Sequence, residues 1–66
     1  MIVYAVLEYN QDDPESRKSL SKLFTRRGPA EKWAERQERE AFEDFHYARE
    51  TIMWSYVVEP WELHDE

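Results

Sequence analysis

Ile2-Val3-Tyr4-Ala5-Val6-Leu7-Glu8-Tyr9 decides the fold, because both of its alternating faces are apolar. Val3, Ala5, Leu7 and Tyr9 fall on one side of an extended chain, and Ile2, Tyr4, Val6 and Glu8 on the other. A β-branched and aromatic run without Gly or Pro is strand-forming. Apolar character on both sides marks a central strand with neighbours and cover, not an edge.

Working outward, residues 10–16 gather Asn, Asp, Pro and Ser, a turn-forming set with Asp13-Pro14 as its clearest break. Residues 19–25 (Ser-Leu-Ser-Lys-Leu-Phe-Thr) form a shorter second strand. Its polar content and Lys22 suit a sheet edge. Gly28-Pro29 then announces a helix, with Pro29 expected at the first helical position and Glu31 in the first turn. No Gly or Pro follows until Pro60. Ala30, Trp33, Ala34, Gln37, Ala41, Phe45 and Ala48 recur at three- and four-residue steps and make one apolar stripe. Glu31, Lys32, Glu35, Arg36, Glu38, Arg39, Glu40 and Glu43 occupy the opposite side, where Glu35 and Arg39 are spaced for an i,i+4 pair. The helix is expected over 29–40 with extension to about 50, and a break near 44–46 is the alternative. Residues 51–59 return to β-branched and aromatic types and predict a third strand that Pro60 ends or holds at an edge.

The order β-β-α-β gives an α+β fold, a three-stranded antiparallel sheet with one helix packed on one face. The β1–β2 hairpin places the third strand beside the first. With 66 residues the chain forms a single domain, 1–66, ending in an acidic tail over about 62–66. Area scaling leaves roughly 60% of the unfolded surface buried, a thin margin. Domains of this size commonly gain support from disulfides, a metal or association. Cys is absent, which rules out disulfides and fits an intracellular setting. The apolar N-terminus has no basic segment before it and ends at Glu8, so neither a signal peptide nor a membrane span is expected. The expected location is cytoplasmic.

Three Trp, four Tyr and three Phe sit in a chain that is 36% charged. So many aromatics exceed what one thin core can hide, and part of that surface is expected to meet a partner. The net charge of −6 argues against direct nucleic-acid binding, which draws most of its affinity from neutralising phosphates. It suits a basic protein surface, including the nucleic-acid groove of another protein, and it also serves solubility.

Few constellations carry chemistry. Glu43-x-x-His46, with Glu50 one turn on, has helix spacing for metal ligation. One helix cannot complete such a ligand set, so no metal or cofactor is expected. His64-Asp65 lies in the tail without a nucleophile, and Ser16, Ser19, Ser21 and Ser55 lack a nucleophile-elbow setting. The chain is expected not to be an enzyme. Arg17, Lys18, Lys22, Arg26 and Arg27 form the one basic cluster, read first as neutralising Asp12, Asp13 and Glu15. Glu38, Glu40, Glu43 and Asp44 could imitate phosphates, although Arg36, Arg39 and Arg49 interrupt the row.

Val3-Tyr4 in the first strand, Phe24-Thr25 before the helix, Ala30-Glu31-Lys32-Trp33-Ala34 and the closing Trp61-Glu62-Leu63 together resemble small β-β-α-β proteins of bacteriophage and prophage genomes. The match rests on packing positions over most of the chain. It departs from the pattern at Arg26-Arg27-Gly28-Pro29 and in the long charged helix. No shared activity comes with the resemblance. It implies a phage origin, in which small acidic proteins bind and block host factors.

The resulting expectation is a non-enzymatic, phage-type acidic protein that binds and inhibits or modulates a host protein. Glu38, Glu40, Glu43, Asp44, Tyr56 and Trp61 are the expected partner-binding residues. Trp33 is assigned to the core, whereas Trp61 serves core and interface readings equally. A self-associating scaffold, as a homodimer, is the alternative. Nucleic-acid binding through residues 17–27 ranks third.

Overall fold

The computed structural model describes residues 1–64; Asp65 and Glu66, the end of the expected acidic tail, lie outside the described residues. The elements are β1 (Ile2–Asn10), β2 (Ser19–Phe24), α1 (Arg27–Tyr47) and β3 (Trp54–Glu62). They form a three-stranded antiparallel sheet in the order β2-β1-β3, with β1 central and α1 on one face. Both the fold class and the position of the first strand agree with the sequence.

Residues 11–18 close the β1–β2 connection through local hydrogen bonds of the Asx type. The Asp12 and Glu15 N–H groups donate to Asn10 Oδ1 (3.1 Å) and Asp13 Oδ1 (2.9 Å). The Asn10 N–H donates to Ser16 Oγ at 2.9 Å. Beyond the turn, Leu7 pairs with Leu20 but Val6 pairs with Lys22, so Ser21 is an extra residue in β2. This bulge resets the alternation. Leu20 and Leu23, three apart, both come to the face opposite the helix, while Lys22 and Phe24 stay on the helix side.

The helix begins at Arg27, two residues earlier than expected, and Pro29 is its third residue. Pro is still tolerated there, since the first-turn N–H groups have no intrahelical acceptor. Arg26 caps the end in extended geometry without a side-chain bond, and Glu31 falls beyond the first turn. There is no break at 44–46, and the helix runs unbroken to Tyr47. It ends where Arg49 takes φ 58, a left-handed conformation usually given to Gly. The Asp44 carbonyl accepts from both the Ala48 (3.0 Å) and Glu50 (3.3 Å) N–H groups. The i,i+4 ion pair forms at Arg36–Glu40, 3.4 Å and solvent-exposed, rather than at Glu35–Arg39. Such a pair contributes only a few tenths of a kcal/mol.

Of the stripe expected on α1, Ala30 and Ala34 are buried, Trp33, Gln37, Ala41 and Phe45 are half-buried, and Ala48, past the helix end, is exposed. Ala30 and Ala34 meet Val6 at the centre, and Tyr4, Phe24, Trp33, Tyr56 and Val58 pack around them. Trp33 links the two outer strands, with ring centroids 6.0 Å from Phe24 and 6.1 Å from Tyr56. Small residues under the helix axis and large ones at its sides let the helix sit close to a twisted sheet.

β3 covers Trp54–Glu62, three residues later than the expected 51–59, and Pro60 lies inside it. The Leu63 N–H donates inward to the Met1 carbonyl (2.8 Å), so by antiparallel alternation the even-numbered N–H groups of β3 point outward. Pro60 is at one of those outward positions, where no ladder donor is needed. At another, the Tyr56 N–H donates to Glu38 Oε1 at 3.1 Å.

Candidate protein-interaction surface

The C-terminal half of α1 and the start of β3 form one end of the molecule. Residues 38–50 hold five carboxylates (Glu38, Glu40, Glu43, Asp44, Glu50) against Arg39 and Arg49, a local net charge of −3 with His46 neutral. Exposed apolar side chains accompany them: Phe42, Tyr47, Ile52 and Trp54. Trp54 points to the helix side of β3 and stands between two clefts. The wider, about 570 Å³, lies between Trp54 and the flank bearing Glu35, Glu38 and Phe42. The narrower, about 200 Å³, is bounded by Glu40, Asp44, Glu50, Ile52, Trp54 and Tyr56. Three carboxylates and no cation line the narrower cleft, beside the rings of Trp54 and Tyr56.

The six residues expected to bind a partner do not make one patch. Glu38 and Glu40 are two apart, about 200° around the helix, and so serve opposite flanks. Glu38 is engaged with the β3 edge and Glu40 with Arg36. Glu43 and Asp44 are exposed on the outer side and at the helix end. The phosphate-like row is therefore split between two flanks. Tyr56 and Trp61 are five apart in one strand, so they face opposite sides of the sheet. Tyr56 sits beneath the helix against Trp33, whereas Trp61 pairs with Val3 on the open face.

Tyr56 also has a defined electrostatic setting. Its hydroxyl donates to Glu8 Oε2 at 3.3 Å. Burial raises the phenol above its ordinary value, helped by the charge and hydrogen bond of Glu8 and by the charges of Glu40 and Glu38. The unfolded chain then loses this proton first, near pH 10. The contribution to stability is full below that pH and is lost as pH rises through the higher folded value. The denaturation midpoint should thus fall above about pH 10 more steeply in the native chain than in Tyr56→Phe. Parallel alkaline limbs in a denaturant titration would remove this role.

The basic cluster is largely used by the fold. Lys18 pairs with Glu59 at 3.4 Å. Lys22 Nζ lies over the rings of Phe24 (5.3 Å) and Trp33 (5.6 Å). The Arg27 guanidinium lies 5.5 Å from the Tyr4 ring centre. These contacts replace the expected neutralisation of Asp12, Asp13 and Glu15. At the Glu43-x-x-His46 spacing, the His46 ring packs on Phe42 (4.2 Å) and Phe45 (5.6 Å). Among the described residues no three His, Cys, Asp or Glu side chains gather as metal ligands, and no helix is long and apolar enough to cross a membrane.

Sequence reasoning gave the β1 residues of the open face but not the β2 residues beside them. Val3, Ala5, Leu7 and Tyr9 line its centre, with Leu20 and Leu23 on one side and Val57, Glu59 and Trp61 on the other. The parity of β1 and β3 contains this set, but the Ser21 bulge conceals the β2 contribution. The chain matches no protein-family model, and comparison with curated proteins and with solved structures gives no match.

Proposed function

We propose that this chain is a non-enzymatic binding protein that docks its acidic, aromatic end on a basic surface of another protein. Modulation or blocking of that protein, in the manner of a small phage-type inhibitor of a host factor, is the outcome. The observation that supports this reading is the coincidence of charge and apolar exposure. Ile52 and Trp54 stand exposed among Glu40, Asp44 and Glu50. Aromatic anchors ringed by complementary charge are what interface hot spots require.

The test uses carboxylates that hold nothing else in place, which excludes Glu38. The triple variant Glu43→Lys, Asp44→Lys, Glu50→Lys should change stability by no more than about 0.5 kcal/mol per site. A partner captured from bacterial lysate by the native chain, once purified, should bind the variant on the order of tenfold or more weakly. Raised salt should weaken the native complex in the same direction. An affinity that neither charge reversal nor salt alters would discard this surface.

A further inference from the structure

β3 is an edge strand, paired with β1 on one side only. Its even-numbered residues point outward, so Trp54, Tyr56 and Val58 turn both N–H and C=O away from β1. These positions repeat every two residues, about 7 Å apart. At Pro60 the row of donors stops.

The helix overhangs this edge without closing it. Glu31, Glu35, Glu38 and Phe42 share one flank of α1 at steps of three and four residues, and two clefts separate that flank from β3. One of about 340 Å³ lies between Glu31, Ala34 and Glu35 on the helix and residues 56–58 on the strand. The other, about 570 Å³, continues past Trp54 and Met53 to Phe42 and Gln11. Glu35 and Glu38 line both, so the two make one groove along the strand. Among the described residues, the one hydrogen bond across it runs from the Tyr56 N–H to Glu38 Oε1, 3.1 Å.

We propose that this groove receives an extended peptide segment bearing Lys or Arg, which adds to β3 as a fourth strand. Strand addition takes its affinity from main-chain hydrogen bonds and its selectivity from alternate side chains.

The backbone is the first support. A free edge is a template for pairing, and an extended chain offers N–H and C=O together at the same two-residue repeat. A helix or a lone side chain has no such repeat. The Glu38 oxygen already stands in for that segment's carbonyl at the Tyr56 N–H.

Charge is the second, and it selects the segment. Glu31, Glu35 and Glu38 line the groove against Arg39 alone. When a peptide carbonyl takes the Tyr56 N–H, Glu38 is released and gains from a cation. Alternate side chains of an added strand fall on the helix side. There a Lys or Arg stem can lie along Ala34 and Val58 with its charge at the carboxylates. A second copy pairing edge to edge about a two-fold axis would set these carboxylates against their own copies. The groove lies on the flank of α1 away from Glu40 and Asp44, and so stands apart from the acidic docking end.

The test titrates the blocked pentapeptide acetyl-Thr-Lys-Val-Lys-Thr-amide into the native chain, followed by NMR of the backbone amides. At roughly millimolar peptide, the amides of Trp54, Tyr56 and Val58 should shift saturably and that of Val58 should exchange more slowly. Two analogues N-methylated at alternate residues should part. The one methylated toward β3 loses binding and the other keeps it. The variant Glu31→Lys, Glu35→Lys changes two exposed positions. It should keep the native far-UV spectrum and bind the peptide on the order of fivefold or more weakly. No saturable shift at these amides, equal behaviour of the two analogues, or undiminished binding by the double variant would overturn the proposal. So would loss of the peptide in the triple variant at Glu43, Asp44 and Glu50, which would assign it to the acidic end. Retention there keeps the two surfaces separate, whatever becomes of the docking end.

Discussion

Trp33→Ala should remove about 3 kcal/mol of stability, the largest effect expected of any single truncation. A domain of this length has roughly 3–10 kcal/mol of total stability. Removing a Trp from a packed site costs about 3–5 kcal/mol, and the half-buried position of Trp33 puts it at the lower end. Its contacts make the loss non-local. The indole meets Phe24 from β2 and Tyr56 from β3, and Lys22 lies over the same ring. Without it the helix holds the central strand through Ala30, Ala34 and Val6, side chains too small to bridge to the outer strands. Trp33→Phe keeps one ring of the bridge and should recover part of that stability. Denaturant titration followed by circular dichroism distinguishes these results. A Trp33→Ala chain with a native-like denaturation midpoint would show that the bridge is dispensable.

Much of the architecture was legible because local preference and burial agree. β1 carries apolar residues on both faces, and it is the strand with neighbours on both sides. The helical stripe from Ala30 to Phe45 is the side that packs. Errors arose where long-range geometry overrode local preference. Thr51, Ile52 and Met53 have strand-forming side chains, yet the chain uses them to return from a helix that extends to Tyr47. Pro60 suggested an end to β3, but its missing N–H falls at an outward edge position where it costs no ladder bond. The helix stop has no Gly to announce it, because Arg49 takes the left-handed conformation itself.

The candidate site was legible in part, and simple parity would have corrected it. Residues two apart on a helix do not share a face, which separates Glu38 from Glu40. Residues five apart on a strand point oppositely, which separates Tyr56 from Trp61. The role of Glu38 could not be read in this way. Its bond to the Tyr56 N–H depends on how the helix is set against the β3 edge, a relation between elements that neither pattern encodes. The same holds for Leu20 and Leu23, which regular alternation would put on opposite faces and the Ser21 bulge brings together.

The same substitution at two helix positions should give opposite results, and the contrast measures how closely the helix is seated. Ala30 is 0% exposed and lies against Val6. Ala30→Leu adds three carbons where there is no space, so the helix must lift or side chains leave their rotamers, at about 1–3 kcal/mol. That corresponds to a fall in melting temperature of very roughly 4–8 °C per kcal/mol for a domain this small. Leu and Ala have similar helix propensities, so the loss reports packing rather than helix formation. Ala41 lies on the same stripe but borders the cleft of about 200 Å³ with Ile52, Trp54 and Tyr56. Ala41→Leu can grow into that space, and burial of the added carbons should hold or raise the melting temperature. Equal losses at both sites would mean that the helix lies tight along its whole length and that the cleft is closed in solution. The predicted split, a large loss at Ala30 and none at Ala41, would locate tight packing over β1 and leave the acidic, aromatic end open to a partner.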